Sequence, residues 1–224
     1  MRTFLRSSSL SLFFGLIFLA SLIGQAFAGR AAFNEQQLAD GLATASLGEY
    51  VSSAHFAGDV AENWQSEYLQ FFLYLMVTVW LVQVGSPESK PPDRAGRESD
   101  EDQRVGAHAR PDSPAWARAG GWRTALFSRS LGLVMGSIFL GSWAAQGASG
   151  WVVYNEDRLA DLQDPVSLPG YLLAPDFWSR TLQNWQSEFL AVGSMAVLAV
   201  FLRERGSPES KPVGAPHDST GVEG

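Results

Sequence analysis

The sequence predicts an all-α integral membrane protein with four transmembrane helices, arranged as two parallel-repeat helical hairpins with short amphipathic helices in the outer loops. Three observations lead to this fold class: four apolar, uncharged stretches, an internal duplication in constant register, and a strongly uneven distribution of Lys and Arg. The composition agrees, because 46% of the 224 residues are hydrophobic and 17% are charged, whereas an average chain has about 25% charged residues.

The composition also excludes several classes of protein. The chain contains no cysteine, so disulfide frameworks, thiolate zinc sites and cysteine nucleophiles are excluded. A net charge of -7 and a pI near 4.9 argue against a nucleic-acid partner. The sequence has no phosphate-binding glycine loop, HExxH or G-x-S-x-G motif. We therefore expect no catalytic residues, no cofactor and no metal.

Four apolar segments are the candidate spans. About 20 residues of helix cross the roughly 30 Å hydrocarbon core of a bilayer. Ser9 to Ala28 and Ser130 to Ser149 have that length, while Tyr68 to Val84 is short and Phe189 to Leu202 is too short alone. We place the four spans at about 9–28, 67–84, 130–149 and 184–202.

The first segment has a second interpretation. Arg2 and Arg6, the apolar stretch and Ala26-Phe27-Ala28 are typical of a secretory signal with an A-x-A cleavage site. Its counterpart in the duplication lies in the middle of the chain and cannot be a signal peptide. The duplication therefore favours a retained first span.

The duplication has a constant offset of 121 residues, and about 40% of the positions from Leu5 to Lys90 are identical to those from Leu126 to Lys211. The motif NWQSE occurs twice, and so does GSPESK at 85–90 and 206–211. The repeat-motif residues that we single out are Asn63, Trp64, Gln65, Asn184, Trp185 and Gln186. Two spans in each copy make the repeats parallel, not inverted as in many transporters.

The duplication also gives the domain organisation. Repeat one covers 1–90, a polar and disordered cytoplasmic linker covers 91–124, repeat two covers 125–211 and a disordered tail covers 212–224. Thirteen of the 16 Lys and Arg lie before the first span (two), between Gly85 and Arg129 (eight) and from Arg203 to Lys211 (three). The positive-inside rule then predicts cytoplasmic termini. With acids as numerous as bases, the linker as a whole reads as a solvated segment and not as a basic lipid-binding patch.

The combined motifs resemble a known family. NWQSE, GSPESK and the intervening RESDEDQRVGAHARPDSP are similar to an uncharacterised family of bacterial four-pass membrane proteins, classed only as a domain of unknown function. The resemblance covers almost the whole chain. It implies a bacterial integral membrane protein and brings no activity or catalytic residues with it.

Four polar residues near the predicted outer membrane face form the candidate site: Gln25, Glu67, Gln146 and Glu188. A carboxylate at that depth is costly unless it is paired, hydrogen-bonded or protonated. Two Gln and two Glu around a pseudo-two-fold axis would form a polar cluster able to bind a proton or a cation. The simpler alternative is structural, because an acid in the first turn of a helix is favoured by the helix dipole.

Two other patterns receive structural interpretations. His55 and Asp59 share a helical face and suggest a metal site, but the equivalent positions are Asp176 and Arg180, so surface charge pairs are expected instead. The Gly132/Gly136 pair is a GxxxG pattern, which predicts close packing of this helix against another one. We expect the other helix to be the first span.

The function that follows is a non-enzymatic integral membrane protein of a bacterial inner membrane that acts through helix packing or partners. The expected partners are the lipid bilayer and either a second copy or a protein bound through the linker. The alternative is a small channel or transporter for protons or cations that uses the paired carboxylates.

Overall fold

The computed structural model describes residues 2–224, with side chains from Leu5 onward. Every regular element in this range is a helix, which confirms the all-α class. Two single 3₁₀ turns lie in the linker, at Pro92–Arg94 and Gly106–His108. The α-helices are α1 (Arg2–Ser7), α2 (Ser9–Ala39), α3 (Leu47–Val51), α4 (Ala54–Val77), α5 (Ala115–Arg118), α6 (Gly121–Phe127), α7 (Ser130–Ala160), α8 (Leu168–Leu172) and α9 (Pro175–Phe201).

Helices α2 and α7 contain the first and third predicted spans and continue about ten residues beyond them, to 31 residues each. Within residues 2–224 these two helices are the ones long and apolar enough to cross a membrane. Only 6% of the most apolar stretch of α2 is buried, and 17% of that of α7. A helix from the core of a soluble protein would bury most of such a stretch.

Helix α9 covers nearly all of the predicted span 184–202, whereas α4 covers only the first part of the predicted span 67–84. The short amphipathic helices expected before these spans are continuous with them in both copies. The helix predicted to continue to residue 84 ends at Val77 in the structure. The Thr78 hydroxyl binds the Tyr74 carbonyl oxygen at 2.6 Å, and the Val79 carbonyl accepts from the amide of Gly96 in the linker. That contact occupies an oxygen that a continuing helix would use.

The chain divides into two compact units. The first consists of the residues up to Ala61 together with Ala145–Leu172, and the second of Glu62–Ala144 together with Leu173–Gly224. Each unit therefore takes residues from both repeats.

In the first unit, the chain turns back after each long helix, so that a short helix packs against the long helix before it: α3 against α2, and α8 against α7. Helix α3 begins with a complete capping box, in which Ser46 and Glu49 bind each other's backbone amides. Tyr50 on α3 and Tyr171 on α8 are equivalent in the duplication, and they are 3% and 1% exposed. Both tyrosines are thus core residues of this unit.

In the second unit, the GxxxG pattern packs on α4. A Cβ at Gly136 would lie 3.1 Å from the Phe72 ring, and one at Gly132 would lie 3.6 Å from Met76 Sδ. These glycines therefore pack on α4, and their packing on the first span stays a prediction. The same small-residue spacing serves either helix equally well, so the pattern alone could not select the partner.

Candidate functional site

The four residues of the candidate polar cluster belong to different units. Gln25, half-buried on α2, and Gln146, 1% exposed on α7, are in the first unit. Glu67 on α4 and Glu188 on α9 are in the second. The cluster of four therefore stays a prediction.

Within the second unit, Glu67 and Glu188 do interact. The Glu67 side chain is exposed and that of Glu188 is partly buried, and the two carboxylates are close enough for electrostatic repulsion. They occupy equivalent positions of the two NWQSE motifs, as the duplication requires. This pair is the part of the candidate site that the structure brings together.

The NWQSE motifs contact each other asymmetrically. Gln65 is fully buried, and its Oε1 accepts a hydrogen bond of 2.7 Å from Nε1 of Trp185. The equivalent of Gln65, Gln186, is exposed. The Trp185 ring also contacts Trp143, which packs against further aromatic rings of the same unit: Phe139, Phe177 and Trp178. The first-copy Gln is thus held in an aromatic core, where it joins α4 to α9.

The residues considered for a metal site have other partners. His55 Nε2 lies 3.2 Å from Glu156 Oε2 in the first unit, and Arg180 Nε lies 3.2 Å from Glu62 Oε1 in the second. Among the described residues, no three His, Asp or Glu side chains are grouped as metal ligands would be. The first contact joins α4 to α7 and the second joins α4 to α9, so both help to orient neighbouring helices.

Sequence reasoning missed a duplicated asparagine clamp in the first unit. Asn34 Oδ1 accepts from the Ala45 amide at 2.7 Å, and Asn34 Nδ2 donates to the Ala45 carbonyl oxygen at 3.0 Å. Asn155 makes the same two bonds to Val166, at 2.8 and 3.0 Å. Each Asn therefore satisfies both backbone groups of one loop residue. The signal was present, because both asparagines are preserved at the 121-residue offset.

A second duplicated contact lies beside the clamp. A Cβ at Gly29 would overlap the hydroxyl of Tyr50, and a Cβ at Gly150 would overlap that of Tyr171. Both glycines are inside long helices, where glycine is disfavoured by about 1 kcal/mol relative to alanine. Close approach of the tyrosine side chain explains why glycine stands at both positions.

The GSPESK motifs form two matching turns in the second unit. Ser89 Oγ accepts from the amide of Gln83 at 2.8 Å, and Ser210 Oγ accepts from the amide of Glu204 at 3.0 Å. Gly85 and Gly206 have left-handed φ values of 87° and 83°, which glycine adopts without steric cost. They lie eight and five residues beyond the ends of α4 and α9, so they belong to the turns and do not cap the helices. The motif is therefore a turn with its own internal hydrogen bonds.

The lysine of each motif holds the segment that follows it. Lys90 Nζ donates to the Gly96 carbonyl oxygen at 3.1 Å. Lys211 is fully buried, and its Nζ donates to the carbonyl oxygens of Pro216 and His217, at 3.2 and 2.8 Å. Burial lowers the pKa of Lys211, with a further contribution from Arg203.

The tail makes contact with both turns. The Gly85 amide donates to Thr220 Oγ1 at 2.8 Å, and the Gly221 amide donates to the Ser86 carbonyl oxygen at 3.0 Å. A segment of the tail, which follows the second repeat, is thus bonded to the turn of the first repeat. Disorder of 91–124 and 212–224 stays a prediction.

The two turns also bring a pair of equivalent acids together. The side chains of Glu88 and Glu209 are within hydrogen-bonding reach of each other, and the Tyr74 hydroxyl donates to Glu88. The hydrogen bond with Glu88, and then the repulsion by its charge, raise the pKa of Glu209, with a smaller contribution from Glu223. Two carboxylates in contact favour sharing a proton.

Taken together, these features describe an all-helical protein with two helices long and apolar enough to cross a membrane, which is weak support for a membrane location. Its duplicated polar residues bond mostly to its own backbone. The chain belongs to the family described as a domain of unknown function (DUF6766), whose profile matches residues 1–222. No curated protein and no solved structure shows a significant match to the chain.

Proposed function

We propose that this protein is a non-enzymatic integral membrane protein of a bacterial inner membrane that crosses the bilayer four times and acts through helix packing or partners. The observation that carries the proposal is the exposure of apolar side chains along α2, where Leu10 is 71% exposed and Leu16 is 68% exposed. Soluble proteins rarely expose contiguous apolar patches above a few hundred Å². Lipid is the environment in which such a helix surface is stable.

The duplication supports four crossings. Helix α9 has 27 residues and is long enough to span, although α4 and α9 are less apolar than α2 and α7. Since α2 and α7 are equivalent in the repeat, their following helices should share one topology. The concentration of Lys and Arg in the termini and the linker supports cytoplasmic termini.

The use of the duplicated polar residues supports a packing role. Asn34 and Asn155 clamp loops, Ser89 and Ser210 close turns, and Lys211 holds the tail. Each of these groups is occupied by backbone of the same chain. Such contacts maintain shape, which is what a protein acting through its surface requires.

Topology mapping tests the four crossings. The chain has no cysteine, so single cysteines can be introduced at Ala43, Ala107 and Asp164 and labelled in intact cells with a membrane-impermeant maleimide. We expect labelling at 43 and 164 and none at 107 until the cells are opened. Labelling of all three in intact cells, or of none, would overturn the proposed topology.

A small proton or cation channel or transporter is the second candidate, favoured by the proximity of Glu67 and Glu188. Its test is flux through the purified protein in liposomes, beside the Glu67→Gln/Glu188→Gln double variant. Flux that is lost in the variant would establish transport through this pair. Absence of flux in both proteins would support the packing role, and flux unchanged in the variant would place a transport path elsewhere.

A further inference from the structure

The linker and its flanks, from Gly85 to Arg129, have their acidic residues in the first part only. All seven acids between Gly85 and Arg129 lie at or before Asp112. From residue 113 to residue 155 the chain contains no Asp or Glu, and the only charged residues there are three arginines, Arg118, Arg123 and Arg129. The neutral balance of the whole linker therefore conceals a purely cationic segment directly before α7.

The same segment exposes large apolar side chains. Trp116 on α5 is 43% exposed, and Trp122 on α6 is 67% exposed. Leu126 and Phe127, one turn further along α6, are 43% and 41% exposed. Four exposed apolar residues among 12 consecutive positions form the kind of apolar patch that marks an interaction surface.

Internal contacts give the segment a defined shape. The Trp116 and Trp122 rings meet edge to face, with centroids 5.9 Å apart. The Thr124 hydroxyl donates to the Trp116 carbonyl oxygen at 2.7 Å, which ties α6 to α5. The Arg123 guanidinium lies 5.6 Å from the Trp122 ring centroid. Aromatic and cationic groups are thus presented together.

We infer that residues 115–129 form an in-plane membrane anchor that binds anionic lipid headgroups beside the point where α7 enters the bilayer. Exposed Trp, Leu and Phe beside arginines, with no acid, are the combination that binds the interface of an anionic membrane. Continuity with α7, which is apolar enough to span, keeps the segment at that interface. The lipid assignment rests on the proposed membrane location, and the experiment below separates the two.

The test uses the full chain, reconstituted in vesicles of phosphatidylcholine alone or of phosphatidylcholine with phosphatidylglycerol. A fluorophore is attached to a single cysteine at Ala125, Ala107 or Leu140, and quenching by lipids with nitroxide groups is measured. Ala125 is within the anchor, Ala107 is in the acidic half, and Leu140 is on α7 as the membrane reference. We expect quenching at Ala125 to be stronger with phosphatidylglycerol at low salt than in neutral vesicles, weaker quenching at Ala107, whose 3₁₀ turn adjoins α5, and equal quenching at Leu140 in both lipids.

Matched variants test the role of the arginines. In Arg118→Gln/Arg123→Gln, the ratio of docked to undocked segment should fall about fivefold for each arginine removed. In Arg94→Gln/Arg97→Gln, which removes the same charge from the acidic half at residues outside the cavity that Phe127 lines, it should not change. Equal quenching at Ala125 in neutral vesicles, or no effect of the first variant, would overturn the inference.

The reference position separates the two proposals. Quenching at Leu140 without quenching at Ala125 in any lipid would overturn the anchor and leave the membrane location supported. Absence of quenching at both positions would overturn the membrane location and the anchor with it. If the fluorophore at Ala125 is as protected from a water-soluble quencher in detergent as it is in vesicles, a protein contact covers it. That result would also overturn the anchor.

Discussion

Trp185 of the second NWQSE motif donates its indole N–H to the buried side-chain oxygen of Gln65 in the first motif, at 2.7 Å. Gln65 is fully buried, and no described residue bonds its Nε2. An amide in that setting depends on the one bond it has. This bond therefore joins the first motif on α4 to the second motif on α9.

Loss of this bond should destabilise the protein. We expect Trp185→Phe to lower the free energy of unfolding by about 1–3 kcal/mol, because a buried amide oxygen loses its donor while an aromatic ring is kept. Denaturant unfolding in detergent measures the effect. Gln186→Leu, at the exposed equivalent of Gln65, is the control and should change it little. Equal effects of the two substitutions would contradict the asymmetry.

The asparagine clamps predict matched effects in the two copies. Asn34→Ala and Asn155→Ala should each cost about 1–3 kcal/mol, because each leaves the amide of one loop residue without its partner. The carbonyl oxygens of Ala45 and Val166 keep the bonds from Arg30 Nε and Trp151 Nε1. Hydrogen exchange should increase at Ala45 in the first variant and at Val166 in the second. Gln36→Ala, an exposed change nearby, is the control. Faster exchange throughout the chain would mean that the clamp is not local.

The glycine–tyrosine contacts predict a rescue. Gly150→Ala should destabilise by about 1–3 kcal/mol through overpacking against the Tyr171 hydroxyl. Adding Tyr171→Phe should restore part of that loss, because it removes the overlapping oxygen. Gly141→Ala, with no described atom within 4 Å of the new Cβ, should be neutral or slightly stabilising. Thermal unfolding of the wild type, Gly150→Ala, Gly150→Ala/Tyr171→Phe and Gly141→Ala measures these effects. Absence of rescue would mean that a contact other than the Tyr171 hydroxyl opposes the added methyl group.

The paired acids predict a dependence of stability on pH. The pKa of Glu209 is raised in the folded protein, so the folded state holds this proton more tightly than the unfolded state. The resulting stabilisation is complete below the ordinary glutamate pKa and is lost as the pH rises through the raised value. Glu209→Gln should flatten this part of the profile in pH-dependent unfolding.

A glutamate with the opposite shift gives the contrast. Ser46 hydrogen bonds lower the pKa of Glu49, so its contribution is present above the ordinary value and is lost as the pH falls through the lowered one. Glu49→Gln should therefore change only the acid side of the profile. An unchanged profile in Glu209→Gln would show that the two carboxylates do not share a proton.

The buried lysine predicts loosening of the tail. Lys211→Met should loosen the tail around His217, because the His217 carbonyl oxygen loses its donor, while the contacts of Thr220 and Gly221 with the first turn remain. Limited proteolysis should then cut the tail faster. Lys90→Met is the matched change in the first copy and should leave tail cleavage unchanged. Equal cleavage of the wild type and Lys211→Met would contradict the anchoring role.

The sequence by itself determined the all-α class and the register of the duplication. Apolar composition and a constant offset are properties of the chain, and they need no knowledge of which surfaces meet. The same register also held the Asn34/Asn155 and Gly29/Gly150 pairs, but it could not show that one pair clamps a loop and the other admits a tyrosine. For the candidate site, the sequence marked Glu67 and Glu188 as equivalent, and the structure brings them within electrostatic reach.

Only the tertiary structure decided which repeated residues are buried and what they contact. Gln65 and Gln186 have the same local sequence, yet one is buried and the other exposed. The Val79 carbonyl oxygen, just beyond the end of α4, likewise accepts from the amide of Gly96, 17 residues further along the chain. The physical reason is common to both. Local propensity and spacing act within a few residues, whereas burial and hydrogen-bond partners are set by segments that meet only after the chain has folded.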